Sequence, residues 1–321
     1  MKRVLLGLSL AVWCVGADRL LVLNKEDATL AIHDVESGKV LGTVPTGNSP
    51  HELAVDSEGR FAYVANYGNG PQPGQTISII DLAAMKELRR LDLGALKRPH
   101  GIAFADGKVY FTAEANRLIG RFDPQSTVID WLMGTGQVGT HMVLPNRDAS
   151  RIITANIGSD SITVFERAQG PAGWNATVIP VGKGPEGLDV SPDGRQLWTA
   201  HSRDGGVSII DLAQKKVVDR FDAGTKRSNR IKFTADGKQV FISDLEAGEL
   251  LVFDTASKKE VKRLKLGRMV EGILMSRDGA RAYVAVAGEN HIAVVDVAKL
   301  EAVGKIQTGA GPDGMAWAAS R

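Results

Sequence analysis

The chain has 321 residues, 43% of them hydrophobic and 24% charged, with a formal net charge of +2. This is the composition of a soluble globular protein, long enough for two average domains or one large all-β domain. The near-balance of charge argues against a dedicated nucleic-acid binder, which carries a basic excess.

The chain opens with Lys2 and Arg3, then the apolar run VLLGLSLAVW from Val4 to Trp13, then small residues ending at Ala17. The run is too short to span a bilayer, and its flanks are those of a secretory signal peptide. Residues 1–17 are therefore read as the signal and 18–321 as one mature domain. Cys14, the single cysteine, lies within the signal, and the bulky Trp13 before it does not suit a lipoprotein signal. Without it the mature chain has no disulfide, thiol nucleophile, thiolate-held metal or covalent c-type haem. The expectation is an exported bacterial protein, periplasmic or secreted. It is expected to be monomeric and to keep no transmembrane anchor once the signal is cleaved.

Three strand patterns follow between Asp18 and Pro45: DRLLVLN, ATLAIHDV and KVLGTVP. A repeat then begins. HELAVDSEGRFAYVAN starts at His51, HGIAFADGKVYFTAE at His100, HMVLPNRDASRIITAN at His141 and EGLDVSPDGRQLWTAH at Glu186. NRIKFTADGKQVFISD starts at Asn229, EGILMSRDGARAYVAV at Glu271 and the fragment DGMAWAAS at Asp313. A period of roughly forty residues with four short strands per unit is the signature of propeller blades. In each unit a hydrophobic first strand meets a tight turn, often Asp-Gly, which suits a hairpin. A second strand follows, then a third ending in Asp, then a charged, alternating fourth. The predicted fold is all-β, a seven-bladed propeller with four antiparallel strands per blade. The unit starting at Asp313 has one strand, and the three N-terminal strands complete it. The last blade is thus closed by strands from both chain ends, which leaves no open sheet edge. Asn66–Gln75 and Glu166–Thr177 read as enlarged loops on opposite faces.

YVAN at Tyr63–Asn66, SPDG at Ser191–Gly194 and the SIIDL strands resemble the YVTN-repeat, YncE-like family of seven-bladed propellers. The resemblance runs over nearly the whole mature chain and implies the fold. The stretch from Pro99 to Pro124 is also similar to one blade of the streptogramin B lyase family. That likeness implies metal-dependent chemistry at an axial channel.

First strands line the axis of a propeller, so their first residues form a ring at one channel mouth. The ring is His51, His100, His141, Glu186, Asn229, Glu271 and Asp313. His201, Glu114, Asn156 and Asp244, read as ends of second strands, are expected on the same face. His51, His100 and His141 come from consecutive blades and are a candidate site for a divalent metal, with imidazole suiting zinc, manganese or iron. Lys97, Arg98, Lys183, Lys226, Arg227, Arg230 and Arg268 are expected to form a basic collar that steers a small anionic ligand. Trp131, Trp198 and Trp317 are read as inter-blade packing, Trp174 as an exposed loop residue, and His33 and His291 as structural. No nucleophile–base–orienter set is legible. The reading is an exported scaffold that binds a ligand or protein through its channel face. The alternative is a metal-dependent lyase or hydrolase, lactonase-like or streptogramin-lyase-like, on that face.

Overall fold

The computed structural model describes residues 18–168 and 173–318. The proposed signal, residues 1–17, lies outside the described residues. Seven four-stranded antiparallel sheets make up the fold. Six are continuous in sequence, over 50–92, 99–134, 140–180, 185–222, 228–265 and 270–307. They are blades 1 to 6 in chain order. In blade 7 the C-terminal strand Pro312–Ala318 is the innermost and pairs with Arg19–Asn24, followed by Thr29–Asp34 and Val40–Pro45. The predicted closure by both ends is present. No helix among the described residues is long and apolar enough to cross a membrane.

Burial follows the strand order in each blade. In blade 4 the second strand, Gln196–His201, is buried from Leu197 on, while the fourth, Lys216–Asp222, is mostly exposed. Apolar residues therefore concentrate between adjacent sheets. Trp198 is fully buried there, with Phe221 and Phe233 at ring separations of 5.7 and 5.4 Å. Each such side chain contributes about 1.5–3 kcal/mol on burial. Trp131 and Trp317 also pack between blades. Trp174 departs from expectation. It begins the fourth strand of blade 3, Trp174–Pro180, and lies 5.5 Å from Trp131 of the neighbouring blade, so it is packing and not loop.

The aspartates that end the third strands are turn-formers. Asp81 accepts the amides of Ala83 and Ala84 at 2.9 and 2.8 Å, and Asp211 those of Ala213 and Gln214 at 2.9 and 2.7 Å. A short carboxylate folding back on its own turn satisfies amides that would otherwise need water. His33 and His291 are buried in third strands beside the carbonyls of Gly38 and Glu289. The segment Asn66–Gln75 is a lengthened hairpin, with the second strand reaching Gly68 and the third starting at Pro73.

Candidate functional site at the axial mouth

Each ring residue sits at an irregularity of the sheet. In blade 1, Pro50 pairs with Asn66 and Glu52 with Ala65, which leaves His51 without a partner. In blade 2 the pairing skips His100 and Gly101, and in blade 3 it skips His141. The same shift occurs at Glu186, Asn229, Glu271 and Asp313. A β-bulge turns the strand locally and re-aims the extra side chain. Here it aims all seven inward. The chain enters each bulge through a left-handed residue in six blades: Ser49, Arg98, Gly139, Gly184, Met269 and Gly311. Its carbonyl accepts the amide one residue beyond the position of Asn66 and Asn156, as in Tyr67 to Ser49 and Ile157 to Gly139.

All seven ring side chains line one cavity of about 230 Å³. Lys25, Tyr67, Arg227, Arg230 and Leu245 complete its wall. The predicted ring is thus assembled. The volume lies below the range of about 300–1,000 Å³ usual for drug-sized ligands, so the space admits only a small molecule.

The histidines form a stack. His51 and His100 have ring centroids 5.2 Å apart, and His100 and His141 3.7 Å apart with 29° between their planes. Tyr67 lies 4.7 Å from His51 and edge-on to His100 at 5.3 Å. Nδ1 of His51 is 2.9 Å from the Ser49 carbonyl, and Nδ1 of His141 is 3.2 Å from the Glu114 carboxylate. Burial lowers His51 to about 4, and burial beside His141 and His51 takes His100 well below the ordinary imidazole value. Both rings are therefore neutral at pH 7. Face-to-face rings carry their lone pairs side by side, so His100 and His141 do not converge on one ion. Among the described residues no group of three or more His, Cys, Asp or Glu has metal-holding geometry.

Acids and bases face the stack. Lys25 bonds Glu271 and lies 3.3 Å from Asp313. Burial, with Asp313 adjacent, pushes Glu271 up to about 7 against the opposing pull of Lys25. Burial would also raise Asp313, but Lys25 and Arg230 outweigh it and hold that carboxyl below its ordinary value. Asn229 donates to Glu186 at 2.7 Å and accepts from Arg230 at 3.2 Å. Arg230 reaches across the axis from blade 5 to Glu52 of blade 1. The positions equivalent to Glu52 in blades 2, 4, 6 and 7 are Gly101, Gly187, Gly272 and Gly314. A Cβ at Gly272 or Gly314 would meet the next first strand's carbonyl oxygen at 2.2 or 2.3 Å. Glycine thus lets neighbouring first strands close on the axis, and the two long charged side chains fill it.

Three buried polar atoms of the cavity have no hydrogen-bond partner: His100 Nδ1, His141 Nε2 and Asp313 Oδ1. Buried polar groups are almost always satisfied, by protein, water or ligand.

Other expected residues fall elsewhere. His201 does not line the cavity; it is buried and bonds Asp204 at 2.9 Å. It aligns with Asn66, Asn156 and Asp244, which brace the adjoining hairpins and connections. Glu114 belongs to the next register, with Lys25, Tyr67 and Leu245, because the two-residue turn Asp106-Gly107 shortens blade 2. From there it reaches His141. Of the basic collar only Arg227 and Arg230 line the cavity. Lys97 bonds the Gln75 side chain, Arg98 lies over the Tyr67 ring at 5.0 Å, and Arg268 bonds the Gly288 carbonyl at 2.5 Å. Lys183 and Lys226 are exposed, and their backbone amides bind Asp204 and Asp244. Sequence reasoning missed Lys25, Glu52, Tyr67 and Leu245. The available signal was the repeat position one beyond that of Asn66, Asn156 and Asp244, which holds Lys25, Tyr67 and Leu245.

The family model for the YNCE-like beta-propeller matches residues 109–275, just over half of the chain. The chain belongs to the YNCE-like beta-propeller family. Against curated proteins the sequence finds no significant match. Similar solved structures include hydrazine synthase of Kuenenia stuttgartiensis, at 18% identity and TM-score 0.76, covering 88% of this chain and 93% of that one. The periplasmic gluconolactonase PpgL of Pseudomonas aeruginosa is similar at 17% identity and TM-score 0.76, over 95% and 99% of the two chains. A putative 6-phosphogluconolactonase of Bacteroides uniformis is similar at 15% identity and TM-score 0.77, over 94% and 100%. At these identities the likeness is one of fold.

Proposed function

We propose that this YNCE-like propeller is a binding protein that takes a small polar ligand in its axial cavity. The observation that carries the proposal is the set of three unpartnered buried atoms on His100, His141 and Asp313, within a cavity formed by all seven bulges. Three such atoms on the wall of one small space can be met together by a single ligand. Export, read from residues 1–17, belongs to the same proposal, and cell fractionation of the full chain tests it. The divalent metal considered for His51, His100 and His141 is not part of it, because the stacked rings do not converge.

The test is a thermal-shift survey of small amines, polyols and carboxylates on the parent and on Leu245→Trp. A ligand that binds only the folded state stabilises it by mass action. Leu245 is partly buried on the cavity wall, so tryptophan fills the space while every ring residue keeps its identity. Hits on the parent that vanish in the variant support the proposal. A survey with no variant-sensitive hit overturns it.

A second reading has one observation in its favour. Glu271, at about 7, exchanges a proton near neutral pH, as an acid–base catalyst must. Three similar structures of this fold carry gluconolactonase or 6-phosphogluconolactonase names. Lactone hydrolysis followed by pH-stat, abolished in Glu271→Gln, would favour this reading over simple binding.

A further inference from the structure

We infer that the ligand of the axial cavity is a small organic ammonium ion, held by hydrogen-bond acceptors and excess carboxylate charge. This rests on the proposal that the cavity binds a ligand, and names the class.

The charge balance comes first. Three carboxyl groups, Glu186, Glu271 and Asp313, line the cavity with Lys25, Arg227 and Arg230, and a fourth, Glu52, pairs with Arg230 outside the lining. Arg227 stands exposed at the rim. Ionised together, the four acids outnumber the three bases by one, and Arg227 at the rim is screened by solvent. Burial, with Asp313 adding to it, holds both Glu52 and Glu271 above the ordinary carboxyl value. An arriving cation relieves this excess, whereas an anion aggravates it.

The polar atoms left open point the same way. A carboxylate or carbonyl oxygen only accepts, so the Nδ1 atoms of His51 and His141 carry the hydrogens in those contacts. In the His51 ring, neutral at pH 7, Nε2 is then a bare acceptor. His141 Nε2 is buried and unpartnered, and so is Asp313 Oδ1. An ammonium group supplies up to three donors to such a set. Polyols offer donors but no charge. A divalent ion needs convergent ligands, which the stack denies.

Binding of a cation favours the ionised form of Glu271, so it expels that group's proton. The groups facing Glu271 are Lys25 from the blade 7 hairpin, Asp313 from the blade 7 inner strand and Arg230 from the blade 5 inner strand. None of them reverses the sign, because the incoming charge is positive.

The experiment is isothermal titration of the purified protein with ethylammonium, ethanolammonium and 1,4-butanediammonium, against glycerol and gluconate. It is run in two buffers of different ionisation enthalpy, to count protons, and repeated from pH 6 to 8. The expected result is binding of ammonium probes, lost in Leu245→Trp, with proton release near pH 7. Affinity should strengthen up to roughly tenfold per pH unit below the Glu271 value and level off above it. In Glu271→Gln proton release should vanish and the pH profile should flatten. If that variant fails to fold, the proton count on the parent still decides. Preferential, Leu245→Trp-sensitive binding of glycerol, gluconate or a divalent metal overturns the ammonium assignment and leaves axial binding standing. Ammonium binding without proton release also overturns it. Absence of any variant-sensitive ligand, across all classes, is the distinct result that removes the binding proposal itself.

Discussion

The ion pair across the axis offers a direct measure of what holds the ring closed. Glu52 and Arg230 are 178 residues apart in sequence and belong to blades 1 and 5. Their side chains are 15% and 8% exposed. Replacing Arg230 with methionine keeps the apolar stem but leaves the Glu52 carboxylate buried and unpaired. It also removes the hydrogen bonds to the Asn229 carbonyl and side-chain oxygens, both 3.2 Å. Breaking a buried pair by removing one partner costs about 3–5 kcal/mol. The double variant Glu52→Leu/Arg230→Met replaces the pair by apolar groups, and such exchanges are often neutral or stabilising by about 1–4 kcal/mol. The two single changes should therefore be strongly non-additive, with the double variant more stable than Arg230→Met alone. Urea denaturation followed by tryptophan fluorescence measures all four proteins. Acid should partly rescue Arg230→Met, because protonating Glu52 removes the unpaired charge. A cost below about 1 kcal/mol for Arg230→Met, or simple additivity, would refute the reasoning.

Glu271 gives a pH prediction of defined sign. Its carboxyl stands at about 7 in the fold against an ordinary 4.5. A raised acid stabilises the fold below its unfolded value, and this contribution fades as pH rises through the folded value. The loss is about 3 kcal/mol between pH 4.5 and 7. Melting curves of Glu271→Gln across that window should be flatter than the parent's, and equal slopes would contradict this. Ending the chain before Pro312 removes the inner strand of blade 7 and the partner of Arg19–Asn24. Loss of a cooperative melt is expected, and a parent-like melting temperature would count against closure by both termini. Asn66 accepts the Gly47 amide and donates to Thr76 and Ser78, all at 3.0 Å. Asn66→Ala should cost about 1–3 kcal/mol through the buried groups it strands, measured by the same denaturation.

The fold was legible because one register of the repeat carries it. The His51, His100, His141, Glu186, Asn229, Glu271 and Asp313 alignment located every inner strand and placed all seven side chains at one mouth. Two things were not legible. The bulge that aims those side chains inward depends on hydrogen-bond register, which composition does not show. The second register slipped in blade 2, because a two-residue turn there shifts Glu114 by one position relative to His201. The basic collar misled for a different reason. Lysine and arginine in connections read as a shared field, but Lys97, Arg98 and Arg268 spend their charge on local partners.

The two registers divide the work of the mouth. At the ends of the second strands, Asn66, Asn156, His201 and Asp244 have partners within their own hairpins or the adjoining connections. These contacts hold the path of the chain into each bulge. One residue further on, Lys25, Tyr67 and Leu245 turn into the cavity, and Glu114 backs His141. The ring residues complete the wall, and three of them keep a polar atom unmet. Unmet polar atoms occur in both registers, on Asn24 and His201 as well as in the ring, but the ring gathers three of them around one cavity. Buried polar atoms lose about 1–3 kcal/mol when unpaired, so three in one small cavity are a standing cost unless something arrives to meet them. The same frame explains why the cavity is shaped by long side chains at all. Glycines at four of the seven positions behind the ring draw the inner strands together. Only Glu52 and Arg230 extend across the space, setting charge beneath the histidine stack. The frame comes from the repeat. The chemistry comes from where this chain departs from it.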